Sequence, residues 1–227
     1  MKKLNLEKLF ENSKVTVDVV VFTVEADRLS VLLIERKYPP FKGVRALPGG
    51  FIRKKEELIK AARRELREET AVGGVYLEQL YTFGAPRRDP RGRVITVAYF
   101  ALVPRHVMKL KASFDARSAK LFSMQRLSKL AFDHRAIINY ALTRLRNKIQ
   151  YTNAAWSMLP KTFTLGELQR LYEIILGKHL DKRNFRKKIL SLGILKALPK
   201  IKRGLQQRPA QLYKFKTRKS VELKRFF

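Results

Sequence analysis

The sequence contains no cysteine, so disulfide bonds and thiolate metal sites are excluded. It also contains no run that approaches 18 apolar residues, the length at which a transmembrane helix becomes a candidate. No apolar signal-peptide segment follows Lys2 and Lys3, which predicts a cytoplasmic protein. The hydrophobic content of 45% favours globular folding over disorder.

Acidic residues are scarce as well. The chain has 19 Asp and Glu against 50 Lys and Arg, a formal net charge of +31. The excess is densest from Tyr151 onward, where 19 basic and four acidic residues give a net charge of +15 in 77 residues. This asymmetry indicates a polyanionic partner, and nucleic acid is favoured over a membrane because no amphipathic apolar stripe accompanies the charge. The alternative explanation is a generally basic proteome or association with the ribosome. The change in composition predicts two domains, residues 1–150 and 151–227.

Several of the few acidic residues concentrate in one short segment. Gly50 is followed after five residues by Glu56 and after seven more by Arg64. Three carboxylates come next, at Glu65, Glu68 and Glu69. Apolar residues recur here near helical spacing, which predicts a loop followed by a helix. On that helix the three carboxylates share one face, where like charges destabilise by roughly 0.2–0.5 kcal/mol per pair. A hard cation such as Mg²⁺ removes this repulsion and prefers oxygen ligands.

The segment resembles the Nudix box, G-x5-E-x7-R-E-U-x-E-E-x-G-U with U aliphatic, and matches it at eight of nine specified positions. The resemblance implies a Mg²⁺ or Mn²⁺ site at the three carboxylates and a pair between the arginine and the first glutamate that fixes the loop on the helix. The catalytic candidates are Glu65, Glu68, Glu69, Arg64 and Glu56. The one departure is Ala71 in place of glycine, so we expect the turn at the helix exit to avoid a left-handed conformation. A solvated acidic helix face is the alternative.

The flanking segments LLIERKYPPFKGVRALPGGFI and YTFGAPRRDPRGRVITVAYFALV resemble the ADP-ribose branch of the Nudix family. The resemblance implies a nucleoside diphosphate sugar as the ligand, whose phosphates arginine can grip in a bidentate manner. The candidate ligand contacts are Arg36, Arg87, Arg88, Arg93 and Phe83. Taken singly, each arginine is better explained as a solvated surface residue, and Phe83 as part of the core.

Two other positions bear on catalysis. Relatives in this branch often carry a glutamate in the loop before the last strand, where this chain has Ser118. If that glutamate positions or deprotonates the water, its absence weakens hydrolysis and leaves ligand binding intact. Asp115 is an alternative carboxylate. We interpret His134 as structural, because one histidine without His or Cys neighbours is a poor metal site.

Outside the motif, aliphatic runs predict strands at 15–24, 29–36, 75–83, 93–103 and 119–122. The first two are expected to form a hairpin. A helix is predicted from His134 to about Ile149, with a buried stripe at Ile137, Tyr140, Ala141 and Leu145. Strands on either side of a carboxylate-bearing helix fit an α+β fold, the Nudix α/β/α sandwich.

The sequence pattern changes from Thr152 onward. Thr164 and Glu167 have the spacing of a capping box at the start of a helix that Gly177 ends. Asp181 can cap a second helix, and Gly193 marks its end. Two helices joined by a short glycine-containing turn predict a helix-turn-helix.

The second helix divides into two faces. Phe185, Ile189 and Leu192 form a predicted buried stripe, and basic and amide side chains occupy the opposite face. Such a face suits a helix in the DNA major groove, with cations for phosphates and Arg or Asn for base edges. A two-stranded basic wing with a loop at 200–204 is predicted after it. The candidate DNA contacts are Arg183, Asn184, Arg186, Lys187, Lys200, Lys202, Arg203 and Arg208.

The segments FTLGELQRLYEIILGKHLDKRNFRKKIL and RPAQLYKF resemble the C-terminal winged helix of Nudix-related transcriptional regulators of the NrtR type. The resemblance covers about 14–215. It implies a homodimeric regulator in which an ADP-ribose-like ligand in the Nudix domain controls DNA binding by the winged helix, with hydrolysis left open. The alternative is a Mg²⁺-dependent Nudix hydrolase of ADP-ribose or a related compound, whose basic tail contacts nucleic acid nonspecifically. A third hypothesis is an RNA-processing Nudix enzyme.

Overall fold

The computed structural model describes residues 12–108, 110, 116–202, 209–219 and 221–223. The chain divides into two compact units. The first comprises the described parts of 1–22, 31–101 and 109–141, and the second those of 23–30, 102–108 and 142–227. The domain boundary at residue 150 stays a prediction. No helix in the described ranges is long and apolar enough to cross a membrane.

A seven-stranded sheet contains the first strands of the chain, in the order β3-β2-β1-β6-β5, with β4 paired to β1 and β7 paired to β2. The strands are β1 Lys14–Glu25, β2 Arg28–Arg36, β3 Arg45–Ala46, β4 Gly49–Phe51, β5 Glu78–Phe83, β6 Val94–Leu102 and β7 Ala116–Ser123. The predicted hairpin is confirmed, with Ala26 and Asp27 at φ 47° and 58° in its two-residue turn. The strands predicted at 75–83 and 119–122 had wrong bounds, since β5 begins at Glu78 and β7 at Ala116.

The sheet is covered on both faces, because consecutive residues of β1 from Thr16 to Thr23 are all buried. Helix α1, Leu58–Thr70, packs against β4 and β7 through an apolar face that includes Ala61, Ala62 and Leu66. The charged face of α1 carries the motif carboxylates. The prediction for Ala71 was wrong. Ala71 ends α1 in the left-handed conformation, φ 60° and ψ 12°, where its N–H donates to the Arg67 carbonyl.

Helix α2 runs from His134 to Lys148, as predicted. Ile137, Ala141 and Leu145 are buried in the predicted stripe. Tyr140 was wrongly included, because its side chain is 39% exposed. It lies instead beside Tyr81 and Phe83 of β5, with ring centroids 5.0 Å and 5.9 Å away.

The helix-turn-helix is confirmed in the second unit. Helix α3, Leu165–Leu176, begins with both hydrogen bonds of the Thr164–Glu167 capping box and ends at Gly177. Helix α4, Lys182–Ser191, is capped by Asp181. The strands β8 Phe163–Thr164, β9 Leu195–Lys202 and β10 Ala210–Phe215 form a three-stranded sheet in the order β8-β10-β9. The predicted wing is therefore present, but 200–202 belong to β9 and not to a loop.

Candidate ligand cleft and nucleic-acid interface

The loop before α1 approaches the helix so closely that only glycine fits. A Cβ added to Gly50 would lie 2.6 Å from the Glu65 carboxylate, and one added to Gly49 would lie 2.2 Å from the Val17 carbonyl oxygen. The Gly49 N–H donates to Oε2 of Glu69 at 2.8 Å. The two glycines therefore let the backbone lie directly against the carboxylates of α1.

Arg64 holds the same loop through Glu56. Its Nε and Nη2 donate to the two carboxylate oxygens of Glu56 at 2.7 Å and 2.8 Å. Arg64 also donates to Glu65 at 2.5 Å, to Glu68 at 3.2 Å and to the Phe51 carbonyl at 3.2 Å. The hydrogen bonds from Arg64 lower the pKa of Glu56 to about 2. The pair inferred from the Nudix resemblance is thus present as a bidentate ion pair.

The three motif carboxylates differ in environment. Glu69 is buried, while Glu68 is exposed and also accepts from Arg53 at 3.4 Å. Burial raises the pKa of Glu65, although Arg64 opposes this shift. Among the described residues no group of three acidic or histidine side chains is arranged to hold a metal ion by itself.

A cleft of about 320 Å³ contains all three carboxylates together with Gly50 and Arg36. Arg36 is the one candidate ligand arginine that lines it. Its Nε donates to the Pro40 carbonyl at 2.8 Å, and its guanidinium lies 4.8 Å from the centroid of the Phe132 ring. Burial, followed by the charge of Arg91, lowers the pKa of Arg36.

The remaining candidate ligand residues are dispersed. Arg88 is buried and donates two hydrogen bonds to Asp133, at 2.7 Å and 2.9 Å, so its guanidinium is engaged within the protein. Arg93 donates to the Gly84 carbonyl at 2.6 Å, and Arg87 is exposed. Phe83 is half-buried in the aromatic group with Tyr81 and Tyr140.

Sequence reasoning missed Arg91. Its guanidinium pairs with both oxygens of Asp89 and lies 4.8 Å from the Phe51 ring and 5.2 Å from the Phe132 ring. With Arg36 it lines a recess of about 50 Å³ that shares Gly49, Gly50 and Phe51 with the larger cleft. The available signal was Asp89 two residues before Arg91, a spacing that permits a local ion pair.

Neither His134 nor Ser118 belongs to a group of acidic or histidine side chains in the described ranges that could hold a metal ion. His134 is buried, and its Nδ1 accepts from the Leu47 N–H at 2.8 Å, which confirms a structural role. Burial lowers its pKa, so the imidazole is neutral at pH 7. Ser118 lies within β7 and not in a loop before it. Asp115 lies outside the described residues.

The candidate DNA-binding face of α4 is exposed. Arg183, Asn184, Arg186 and Lys187 are all solvent-accessible, while Phe185 and Ile189 are buried and Leu192 is half-buried. Phe185 contacts Tyr172 of α3 with ring centroids 5.5 Å apart, and this packing turns the polar face outward.

The predicted wing residues differ in their contacts. Lys200 is exposed on β9, whereas Lys202 donates to the capping-box glutamate Glu167 at 2.6 Å. That pair binds the wing to the start of α3. Arg203 and Arg208 lie outside the described residues.

Comparison with known proteins agrees with this arrangement. Residues 13–141 match the NUDIX domain, and residues 155–215 match the NrtR DNA-binding winged helix domain. The ADPR-responsive transcriptional repressor NtrR of Acinetobacter baylyi is 40% identical over 203 residues, which span 88% of this chain and 81% of that protein.

Two solved structures from Shewanella oneidensis are also similar. NrtR complexed with a 27mer DNA aligns with a TM-score of 0.78 at 36% identity, over 89% of this chain and 93% of that chain. The NUDIX domain of NrtR complexed with ADP-ribose aligns with a TM-score of 0.56 at 38% identity, over 61% of this chain and 92% of that chain. With both domains matched in one chain, the protein belongs to the Nudix-related transcriptional regulators of the NrtR type.

Proposed function

We propose that this protein is a transcriptional regulator that binds operator DNA through its winged helix and releases it when ADP-ribose, or a related nucleotide sugar, occupies the Nudix cleft. The observation that carries the proposal is the exposed basic face of α4 in a chain that also retains a complete set of Nudix carboxylates. The similarity to an ADPR-responsive repressor supports the same assignment. Contact with operator DNA would take place in the cytoplasm.

The cleft suits a diphosphate. Arg36 supplies a cation from β2, and Gly49 and Gly50 expose backbone close to the carboxylates of α1. Phe51 and Phe132, with Arg91 over both rings, provide apolar and cationic surface beside it. Phosphate would be gripped by the guanidinium groups, and a ribose or base would lie against the aromatic side chains.

Nudix proteins generally use a divalent metal such as Mg²⁺. The donor set here fits such an ion, because Glu65, Glu68 and Glu69 offer only oxygen atoms and line one cleft. They do not form a closed cage, which suits an ion that retains waters and ligand phosphate oxygens. When bound, Mg²⁺ or Mn²⁺ supplies Lewis-acid polarisation of the diphosphate. The Gly49 N–H orients Glu69, and Arg64 orients Glu65 and Glu68.

For DNA recognition, we propose that the N-terminal half of α4 enters the major groove. Arg183 and Asn184 would reach base edges there, as N-terminal residues of recognition helices do. Arg186, Lys187 and Lys200 would contact phosphates, with Arg203 and Arg208 as further wing contacts. A homodimer would place two such helices on half-sites one helical turn, or a multiple of it, apart.

A mobility-shift experiment tests the proposal. The full chain is titrated onto its own upstream DNA and onto random duplex at physiological salt, with and without ADP-ribose. We expect tighter binding to the upstream fragment and release by ADP-ribose but not by ribose 5-phosphate. Equal affinity for both duplexes would show that the winged helix binds DNA only through its charge, and it would refute the proposal that the protein is a regulator.

A second activity has its own supporting observation. The bidentate Arg64–Glu56 pair and the three cleft carboxylates retain the geometry of an undegraded Nudix motif. We propose that residual hydrolysis of ADP-ribose accompanies binding. Release of AMP in the presence of Mg²⁺, and its loss in Glu68→Gln, would establish this activity.

A further inference from the structure

A second recess, of about 480 Å³, opens beside α1 and has basic walls. Lys60, Arg63 and Arg67 line it, at positions i, i+3 and i+7 of the helix. This spacing places the three cations on one helix face, and the motif carboxylates Glu65 and Glu69 lie on the opposite face. The recess therefore opens on the side of α1 away from these two carboxylates, and Arg64 lies between the two cavities and lines both.

Arg63 and Arg67 have no acidic partner in the ranges that the structure describes, and both are exposed. Lys60 pairs with Glu57 at 2.9 Å, but both side chains are largely solvent-accessible and such surface pairs contribute little. Like charges at i,i+4 repel each other and destabilise a helix. An anion between Arg63 and Arg67 removes that repulsion.

The recess has an apolar floor formed by Leu66 and Val72, which are 1% and 4% exposed. Its rim includes Gly73, where an added Cβ would meet only the Arg67 side chain at 3.9 Å. Internal packing therefore does not require glycine at this position. The missing side chain leaves the mouth of the recess open beside Arg67.

We infer that this recess is a second ligand site, which binds a small phosphorylated metabolite with its phosphates between Arg63 and Arg67 and its apolar part on Leu66 and Val72. The inference does not rest on the proposed function of the first cleft. Specific DNA interfaces bury about 1,000–2,500 Å² of protein surface, whereas a recess of this volume is typical of small-molecule sites. Arginine pairs also suit phosphate better than a surface carboxylate, because guanidinium groups bind phosphate in a bidentate manner.

The test uses inorganic pyrophosphate as the probe and isothermal calorimetry on the full chain. The buffer contains EDTA, so that metal-dependent binding in the first cleft does not contribute. Wild type is compared with the double variant Arg63→Gln/Arg67→Gln. The matched control is Arg28→Gln/Lys42→Gln, which removes the same charge from two exposed positions outside both cavities. A third variant, Gly73→Leu, fills the mouth of the recess without altering charge.

We expect pyrophosphate binding to weaken about tenfold or more in Arg63→Gln/Arg67→Gln, since charge-assisted hydrogen bonds to phosphate are strong. The matched control should stay within about twofold, because screening limits the influence of distant surface charge. Gly73→Leu should also weaken binding. The inference is overturned if wild type does not bind, or if both double variants lose affinity equally. It is also overturned if Arg63→Gln/Arg67→Gln weakens duplex DNA binding and leaves pyrophosphate binding intact. Thermal denaturation of each variant checks folding.

Discussion

Ala71 provides a direct test of how the motif helix is stabilised, and the perturbation is Ala71→Gly. The residue adopts φ 60° and ψ 12° at the end of α1, and its N–H donates to the Arg67 carbonyl at 2.9 Å. An L-residue with a Cβ pays about 1–2 kcal/mol in this conformation. Glycine adopts it freely but loses about 0.4–1 kcal/mol more backbone entropy on folding. The difference predicts that Ala71→Gly raises the free energy of unfolding by about 0.5–1 kcal/mol.

The choice of assay follows from the position of the single tryptophan. Trp156 belongs to the second unit and α1 to the first, so calorimetry and hydrogen exchange are chosen in place of fluorescence. Calorimetry should show the first unit melting about 1–4 °C higher, by the usual scaling for chains of this size. Hydrogen exchange of the α1 amides should slow in parallel.

The matched control is Ala136→Gly, an exposed alanine in the first turn of α2. Glycine there should destabilise by about 0.5–1 kcal/mol, because the helical conformation favours alanine. If Ala71→Gly destabilises the protein as Ala136→Gly does, the left-handed turn is not strained and the reasoning fails.

Four further predictions concern the DNA-binding face, the cleft carboxylates, Ser118 and His134. Arg183→Ala and Asn184→Ala should weaken binding to a palindromic operator by about 1–3 kcal/mol and binding to random duplex much less. Lys200→Ala should weaken binding to both duplexes and reduce the salt dependence of the affinity. If a mobility shift shows that Arg183→Ala and Asn184→Ala weaken binding to both duplexes equally, base recognition by α4 is contradicted. Glu69→Gln should abolish most Mg²⁺ affinity measured by calorimetry with ADP-ribose present, although the amide oxygen of the variant can still accept from the Gly49 N–H, and unchanged affinity would rule out the site. Ser118, which lies within β7, stands where the family resemblance implies a catalytic glutamate, so hydrolysis of ADP-ribose should be slow. A turnover number in the ordinary range of about 1–10³ s⁻¹ would favour the hydrolase hypothesis instead. Burial lowers the pKa of His134 in the folded state, so protonation favours the unfolded chain. The free energy of unfolding should be fully retained above about pH 6.5 and should fall by up to about 1 kcal/mol between pH 6.5 and 5.5. This would be refuted if urea denaturation gave the same free energy of unfolding across that range, or if His134→Gln left its pH dependence unchanged.

Local signals in the sequence were sufficient for much of the fold. The capping box at Thr164, the stop at Gly177 and the cap at Asp181 each depend on residues within a few positions of one another, and all three are present. The Glu56–Arg64 pair spans only eight residues and was accessible through the motif. The strand predicted at 75–83 began too early because apolar residues precede the paired segment, and the strand predicted at 119–122 began too late because the first residues of β7 include the polar Arg117 and Ser118.

The arginines near the cleft present a different case. Four arginines lie between positions 87 and 93, and local sequence does not distinguish them. Arg88 is engaged by Asp133, 45 residues away, and approaches Asp18, 70 residues away. Arg91 is held near the cleft by Asp89 and by two phenylalanine rings from separate segments. Only the folded sheet brings these groups together.

A net charge of +31 offers a simpler explanation for any effect of ADP-ribose on DNA binding, namely that a bound diphosphate neutralises part of the field that attracts DNA. Electrostatic and conformational coupling differ in two measurable respects. Screening is strong beyond about 8 Å at physiological ionic strength, so an electrostatic effect shrinks as salt rises and is reproduced by pyrophosphate. Conformational coupling persists with salt and requires the whole ligand, because only groups that differ in contact between the two states can shift their balance. By linkage, DNA must then weaken ADP-ribose binding by the same factor by which ADP-ribose weakens DNA binding. Measuring both affinities in one salt series therefore separates a ligand-responsive switch from a charge effect.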